Sequence, residues 1–283
     1  MKKRNLVLTL SILTPIILFG HNQSFAFHAE VLPPEVMQGD AFVIKVTGLG
    51  NSGIPDAFLM GRRLYFNKCG EDCFIALGAI GLEKKPGVYT VEIKDGEKTK
   101  KLNLTLKRPS FPVIRMTLPE KKVFLKPEDL ARAEREDERL AQLWHVESDK
   151  LWVGKFIMPV ENDILTAFGA KRIINKKKIS IHKGIDIRGE EGVEVRASNK
   201  GLVVLAEELF FGGNTLILDH GQGIYTIYMH LSGFNVRPGD IVSKSDIICF
   251  VGSSGRASGP HLHFGVKILN TNANPLSFVK LML

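Results

Sequence analysis

Two short histidine stretches, about eighty residues apart, constrain this chain more than any other feature. They are His182-Lys183-Gly184-Ile185-Asp186-Ile187 and His261-Leu262-His263-Phe264. Both read as strands, in which side chains two apart share a face. His182 and Asp186 then point one way across Gly184, and Ile185 and Ile187 point the other. His261 and His263 likewise share a face that Leu262 and Phe264 back from the opposite side. Imidazole nitrogen and carboxylate oxygen are ligands of zinc, and a catalytic zinc takes three of them plus an open position for water. Four candidates are present on two strands. A single histidine pair on a strand is more often an ordinary hydrogen-bonded pair. Here five of the eight histidines fall between residues 180 and 264. Gly184, Gly221, Gly259 and Gly265 lie close to them, as close backbone approach and tight turns require.

The surroundings predict an all-β protein. From residue 155 onward, short strand-like stretches cover 155–160, 193–197, 201–206, 214–220 and 224–230. Turns fall at Gly221-Gln222-Gly223 and Val236-Arg237-Pro238-Gly239-Asp240. A basic loop over 171–178 precedes His182, and a glycine- and serine-rich loop over 253–260 leads into His261. Closely spaced strands without helical periodicity predict an antiparallel β-sandwich or barrel for 155–283. Residues 27–107 alternate in the same way, with strands at 41–46, 88–93 and 101–106 and a hairpin signal at Lys94-Asp95-Gly96-Glu97. They predict a small immunoglobulin-like β-sandwich. Between the two, residues 108–154 hold a proline-rich connector and one helix, from Glu128 to about Trp144. Its apolar stripe of Leu130, Ala133, Leu140 and Leu143 is narrow, and the charge run over 132–139 reads as a solvated face.

Residues 1–26 have the form of a secretory signal. Lys2-Lys3-Arg4 precedes a mostly apolar run over 6–19, and Ser24-Phe25-Ala26 offers small residues at a cleavage site. A spanning helix needs roughly 20 apolar residues, and Pro15 interrupts this run. The expectation is export to the periplasm or cell envelope, with membrane contact only during export. In an oxidising compartment Cys69 and Cys73 can close a small disulfide loop. Cys249, inside an apolar run, reads as a buried small hydrophobe. The formal charge is +8, and removing Lys2, Lys3 and Arg4 leaves +5. The positive charge is scattered, with no basic stripe interleaved with aromatics. That argues against nucleic acid and suits an anionic cell-wall polymer.

The stretch 155–279 resembles the lysostaphin-type (LytM-like) zinc endopeptidases that act on peptidoglycan. The resemblance rests on Phe168-Gly169, His182-Lys183-Gly184-Ile185-Asp186, Gly213-Asn214 and Asp219-His220-Gly221. It rests equally on Tyr228-Met229-His230-Leu231, Pro238-Gly239-Asp240 and Gly259-Pro260-His261-Leu262-His263-Phe264. It implies one zinc per chain, held by His182, Asp186 and His263. His261 would stand beside the metal without binding it, and His230 would be its catalytic partner. The implied activity is that of an exported zinc-dependent endopeptidase, hydrolysing peptide cross-links between peptidoglycan stem peptides by zinc-activated water. The competing reading is a non-catalytic wall-binding activator of another hydrolase. Relatives of that kind lack site residues, whereas all five are present here. Ser245 and Cys249 stand where the family often has glycine, and the basic loop lacks a commonly seen glycine. His220 reads as structural. Tyr225 and Tyr228 suit either a groove or the core, and Asn162 and Arg172 are open as substrate contacts.

Overall fold

A computed structural model describes residues 27–50, 53–117, 125–144, 148–176 and 178–283. The signal-like segment 1–26 lies outside the described residues. The N-terminal half is built from nine strands: β1 (His28–Leu32), β2 (Glu35–Met37), β3 (Ala41–Thr47), β4 (Asp56–Leu59), β5 (Arg62–Leu64), β6 (Phe66–Gly70), β7 (Cys73–Ala79), β8 (Gly87–Asp95) and β9 (Lys98–Lys107). One sheet has the order β1-β3-β7-β6 and the other β2-β9-β8-β4-β5. Cys69 and Cys73 are bridged across the turn between β6 and β7.

Both faces of β3 are apolar, and each meets a different partner. Phe42, Ile44 and Val46 share a core with Ala57, Val91, Ile93 and Leu104 of the second sheet. Ala41 and Val43 point the other way. With Ile75 and Leu77 of β7 they enter the core of the C-terminal half, beside Phe278, Val279 and Leu281. A near-continuous apolar run is what a strand covered on both faces requires.

The connector contains β10 (Val113–Met116) before α1 (Pro127–Leu143). β10 pairs in parallel with β12 (Lys171–Ile174), which pairs antiparallel with β13 (Lys178–Ile181). The basic loop expected over 171–178 is therefore part of a hairpin. Ile173, Ile174, Ile179 and Ile181 supply β-branched residues among the lysines. Residues 155–160 do not form the expected strand and belong to no ladder. Their apolar pattern reflects burial of a crossing segment: Phe156 lies within 6.0 Å, ring to ring, of Trp152, His220 and Phe278.

The main sheet runs β11 (Ile164–Thr166), β14 (Ile185–Arg188), β21 (His261–Ile268), β18 (Ile224–Phe234), β17 (Gly213–Asp219), β16 (Gly201–Leu209), β19 (Ile241–Val242). Beside it, β15 (Glu194–Arg196) pairs with β20 (Ile247–Val251), which pairs with β18. β22 (Thr271–Ala273) pairs with β21 and leads into α2 (Pro275–Val279). One face of the sheet presents Leu216, Leu218, Tyr228, Leu262 and Phe264 to the core. The opposite face presents Ile217, Tyr225 and Ile227, and Leu140, Leu143 and Trp144 of the helical segment cover them. The charge run on α1 is not merely solvated. Glu136 receives Arg132 at 2.7 Å and the Phe210 N–H at 2.7 Å, and Arg139 pairs with Glu207. These contacts fix the helix on the β16–β17 hairpin, each contributing about 1 kcal/mol or less at such exposure. Among the described residues no helix is long and apolar enough to cross a membrane.

Candidate metal centre

The antiparallel register of β14 and β21 sets Asp186 opposite His263 and Arg188 opposite His261. β18 flanks the other side, with Met229 opposite His263. His182 does not lie on a strand, contrary to expectation. β13 ends at Ile181 and β14 begins at Ile185, and residues 182–184 make a short link. The link is held by His182 N–H donating to the Ala170 carbonyl at 3.0 Å and Gly169 N–H donating to the His182 carbonyl at 2.9 Å. It swings the imidazole onto Asp186, so the two residues meet by curling of the link, not by strand alternation.

Three donor atoms converge here. His182 Nε2 is 2.9 Å from Asp186 Oδ1 and 2.9 Å from His263 Nδ1, and His263 Nδ1 is 2.9 Å from Asp186 Oδ1. His182 and Asp186 are buried, and His263 is partly buried. The far nitrogen of His182, Nδ1, lies 3.0 Å from the Ala167 carbonyl. A carbonyl only accepts, so Nδ1 carries the proton and Nε2 turns a lone pair toward the other two atoms. Three electron-rich atoms at this spacing call for a cation between them, and a backbone carbonyl on the outer nitrogen is the usual support of a metal-binding histidine. The donor set fits a metal ion. Among the described residues no other His, Cys, Asp or Glu group does so.

Arg172, from β12, pairs with the outer oxygen of Asp186, Oδ2. Its contact is thus to a candidate ligand. Recognising 171–181 as a hairpin that feeds His182 would have pointed to it. Burial disfavours the Asp186 charge; without a metal, protonated His182 and His263 rings would outweigh it by hydrogen bond and charge, and the carboxyl is held well below the usual range. Burial pushes the His263 imidazole down, toward the neutral form a metal ligand needs.

His230 and His261 flank this triangle. His230 has φ of +66° and sits where β18 changes partners, from β21 at Met229 to β20 at Leu231. A register shift against β17 falls at the same place, and such a bulge re-aims a side chain. The His230 ring centroid is 4.9 Å from that of His261 and 6.1 Å from that of His263. His230 Nδ1 donates to the Ser254 carbonyl at 3.0 Å, and His261 Nδ1 donates to the Gly259 carbonyl at 2.8 Å. Each ring thereby keeps Nε2 for other work, and His261 Nε2 stands 3.8 Å from Asp186 Oδ1. Burial, with His263 and His261 nearby, pushes His230 down to about 4.

Gly184 allows this packing. A Cβ there would meet the Phe264 carbonyl at 2.5 Å and His263 Nε2 at 2.7 Å. Gly184→Ala is expected to displace His263 and weaken metal binding by roughly 10–100-fold, the usual effect of disturbing a ligand's support. A competition titration against a zinc chelator measures it, and unchanged affinity would remove the steric role.

The remaining histidine of this half is structural. His220 is fully buried; Nδ1 donates to the Lys200 carbonyl at 2.8 Å and Nε2 lies 2.8 Å from Thr226 Oγ1. Burial pushes it down to about 4. The neutral ring needs the Thr226 hydroxyl as donor, so the 2.9 Å Thr226–Tyr228 contact is donated by Tyr228. Its stabilisation is complete above the ordinary histidine range near 6.5 and is lost as pH falls toward 4, to a total of roughly 3 kcal/mol. Urea unfolding across that window should show the loss, and His220→Gln should flatten it. Tyr228 and Tyr225 are core residues, the latter donating to the Leu143 carbonyl at 2.7 Å. Asn162 accepts from the Asp163 N–H at 2.9 Å in its own turn. Cys249 is buried and unbridged.

Known proteins resemble this part of the chain. A DD-carboxypeptidase/endopeptidase Mpg of Neisseria meningitidis is 39% identical over 97 residues, covering 34% of this chain and 22% of the relative. The peptidoglycan DD-endopeptidase ShyA of Vibrio cholerae is 33% identical over 100 residues, covering 35% and 23%. The chain thus matches about a fifth of the length of these curated relatives. The crystal structure of a candidate M23 peptidase from Pseudomonas aeruginosa superposes with a TM-score of 0.67 at 27% identity, covering 86% of this chain and 94% of that one. Residues 180–275, which contain the converging histidines and Asp186, match the model described as peptidase family M23, and this stretch of the chain is a domain of that family.

Proposed function

We propose that the chain is an exported, zinc-dependent endopeptidase that hydrolyses peptide cross-links of bacterial peptidoglycan. The observation that carries this reading is the 2.9 Å triangle of His182 Nε2, Asp186 Oδ1 and His263 Nδ1 beside two further histidines whose Nδ1 atoms are held by backbone carbonyls. His182, Asp186 and His263 would hold one zinc. When bound, zinc supplies Lewis acidity, which polarises a peptide carbonyl and acidifies a water. His230 and His261 act through Nε2: one accepts the proton of the attacking water, and the pair returns it to the leaving amine. Their Nδ1 bonds to Ser254 and Gly259 fix the tautomer that this task needs. Arg172 holds Asp186 in its ligand orientation.

In this reading residues 1–26 are a cleaved signal and 27–107 an immunoglobulin-like sandwich. Residues 108–154 are the linker and helix, and 155–283 the catalytic domain, working in the periplasm or envelope. The name of the relative from Vibrio supports peptidoglycan as substrate, and that of the relative from Neisseria supports endopeptidase activity. The test is digestion of cross-linked peptidoglycan by the zinc-loaded full chain, read by chromatography and mass spectrometry with a chelated control. Loss of dimeric muropeptides with gain of monomers, only in the zinc arm, is expected. Unchanged dimers would sink the enzymatic reading.

A further inference from the structure

The two halves of the chain meet over a cleft of about 470 Å³, whose lining includes Arg62, Leu82, Glu83, Ile181, Lys183 and Asn272. Lys267 stands at its edge. Its Nζ donates to Asn270 Oδ1 at 3.1 Å, and Asn270 also lines the cleft. The ammonium lies 4.9 Å from the centre of the Trp144 ring. Burial, followed by the nearby charges of Lys183 and Arg62, pushes Lys267 down to about 8. Lys267 is buried, and Arg62 and Lys183 stand exposed in the cleft beside it. No ion pair among the described residues engages any of them, nor Glu83, the one acid lining the cleft. Arg62 instead donates to the Leu269 carbonyl at 2.8 Å and to Thr271 Oγ1 at 3.0 Å. Cations without an ion-pair partner around a concave site are suited to a carboxylate, which takes charge-assisted hydrogen bonds there.

Two stretches of chain connect the cleft to the metal centre. Lys183 directly follows His182 in the chain. On β21, residues 261, 263, 265 and 267 share a face, so Lys267 lies on the line of the candidate ligand His263. Four residues of strand separate them, about 14 Å. That distance is spanned by roughly four residues of extended peptide. Ile181 and Leu82 offer an apolar wall, and Asn270 and Asn272 carry amides able to bond a peptide backbone.

We propose that this cleft is a second binding site, for the free carboxylate of a peptide strand that lies across the metal centre. Lys183, Lys267 and Arg62 receive the carboxylate, and the walls hold the adjoining residues. The assignment of the ligand as a peptide rests on the peptidase reading above. The assay does not, because it measures binding without turnover.

The test is isothermal titration of the full chain with an acetylated tripeptide ending in D-alanine, as free acid and as amide, each with zinc present and after chelation. The acid is expected to bind at least tenfold tighter than the amide in both arms. Lys267→Met and the exposed Lys183→Ala should each raise the Kd of the acid toward that of the amide and leave zinc content unchanged. Equal binding of acid and amide, or full affinity in both variants, would overturn the site. Displacement of the acid by an equal concentration of inorganic phosphate would overturn the peptide assignment in favour of a general anion site. A chain that binds the acid but hydrolyses nothing would count against the peptidase reading alone.

Discussion

Replacing His263 by alanine is expected to leave the purified chain without zinc and without measurable hydrolysis, while the sheet stays folded. His263 contributes one of only three converging donors, and its Nδ1 touches both of the others at 2.9 Å. Removing an outer partner of a metal ligand typically costs 10–100-fold in affinity, and removing the ligand itself exceeds that. The carboxylate of Asp186 would keep Arg172 and His182 as partners, so a buried charge is not abandoned and unfolding is not the expected result. Elemental analysis, circular dichroism and the peptidoglycan digest together read the outcome. A variant that still carries one zinc per chain would exclude His263 from the ligand set.

His230→Ala should separate metal binding from chemistry. Zinc content should stay at the parent level, and turnover should fall by roughly 10²–10⁴-fold, the range a positioned proton-transfer group supplies. The ring makes no contact with Asp186 or His182 as a donor to the triangle. It is aimed beside them by the left-handed backbone at φ +66° and by the Ser254 carbonyl. Alanine retains the strained backbone and loses only the imidazole, so the comparison isolates the ring. Glycine at 230 is the control, since it relieves the backbone strain and should be no more active. Parent-level hydrolysis by the alanine variant would remove His230 from the chemistry.

Much of the site was legible because its logic is one of period. On β21 the H-x-H pair alternates with Leu262 and Phe264, and the structure keeps that alternation: the apolar pair is in the core, and the histidines face the opposite side. His182 and Asp186 met as expected but for another reason, the short link over 182–184. Gly184 in the link permits the close approach to Phe264 and His263, as its place beside the histidines led one to expect. The hairpin over 171–181 was hidden because lysines dominate the composition while its isoleucines carry the strand. Arg172 was open only as a substrate contact, and its pairing with Asp186 was hidden with the hairpin, since fourteen residues separate the two. The pattern at 155–160 misled in the opposite sense, because burial of a crossing segment alternates much as a strand does. The charged face of α1 misled as well, since sequence spacing does not show that Glu136 reaches Phe210.

The double-faced burial of β3 has a further consequence. Ala41, Val43, Ile75 and Leu77 belong to the first half by chain order and to the second by packing. The candidate metal centre lies within residues 180–264, yet the surface that closes over Phe278, Val279 and Leu281 is supplied more than a hundred residues upstream. Melting is therefore shared: neither half can lose its order without exposing the apolar flank of the other. The segment that would perform the reaction and the segment that must survive heat together are different lengths of the same polypeptide, and selection on stability reaches residues that never approach the substrate.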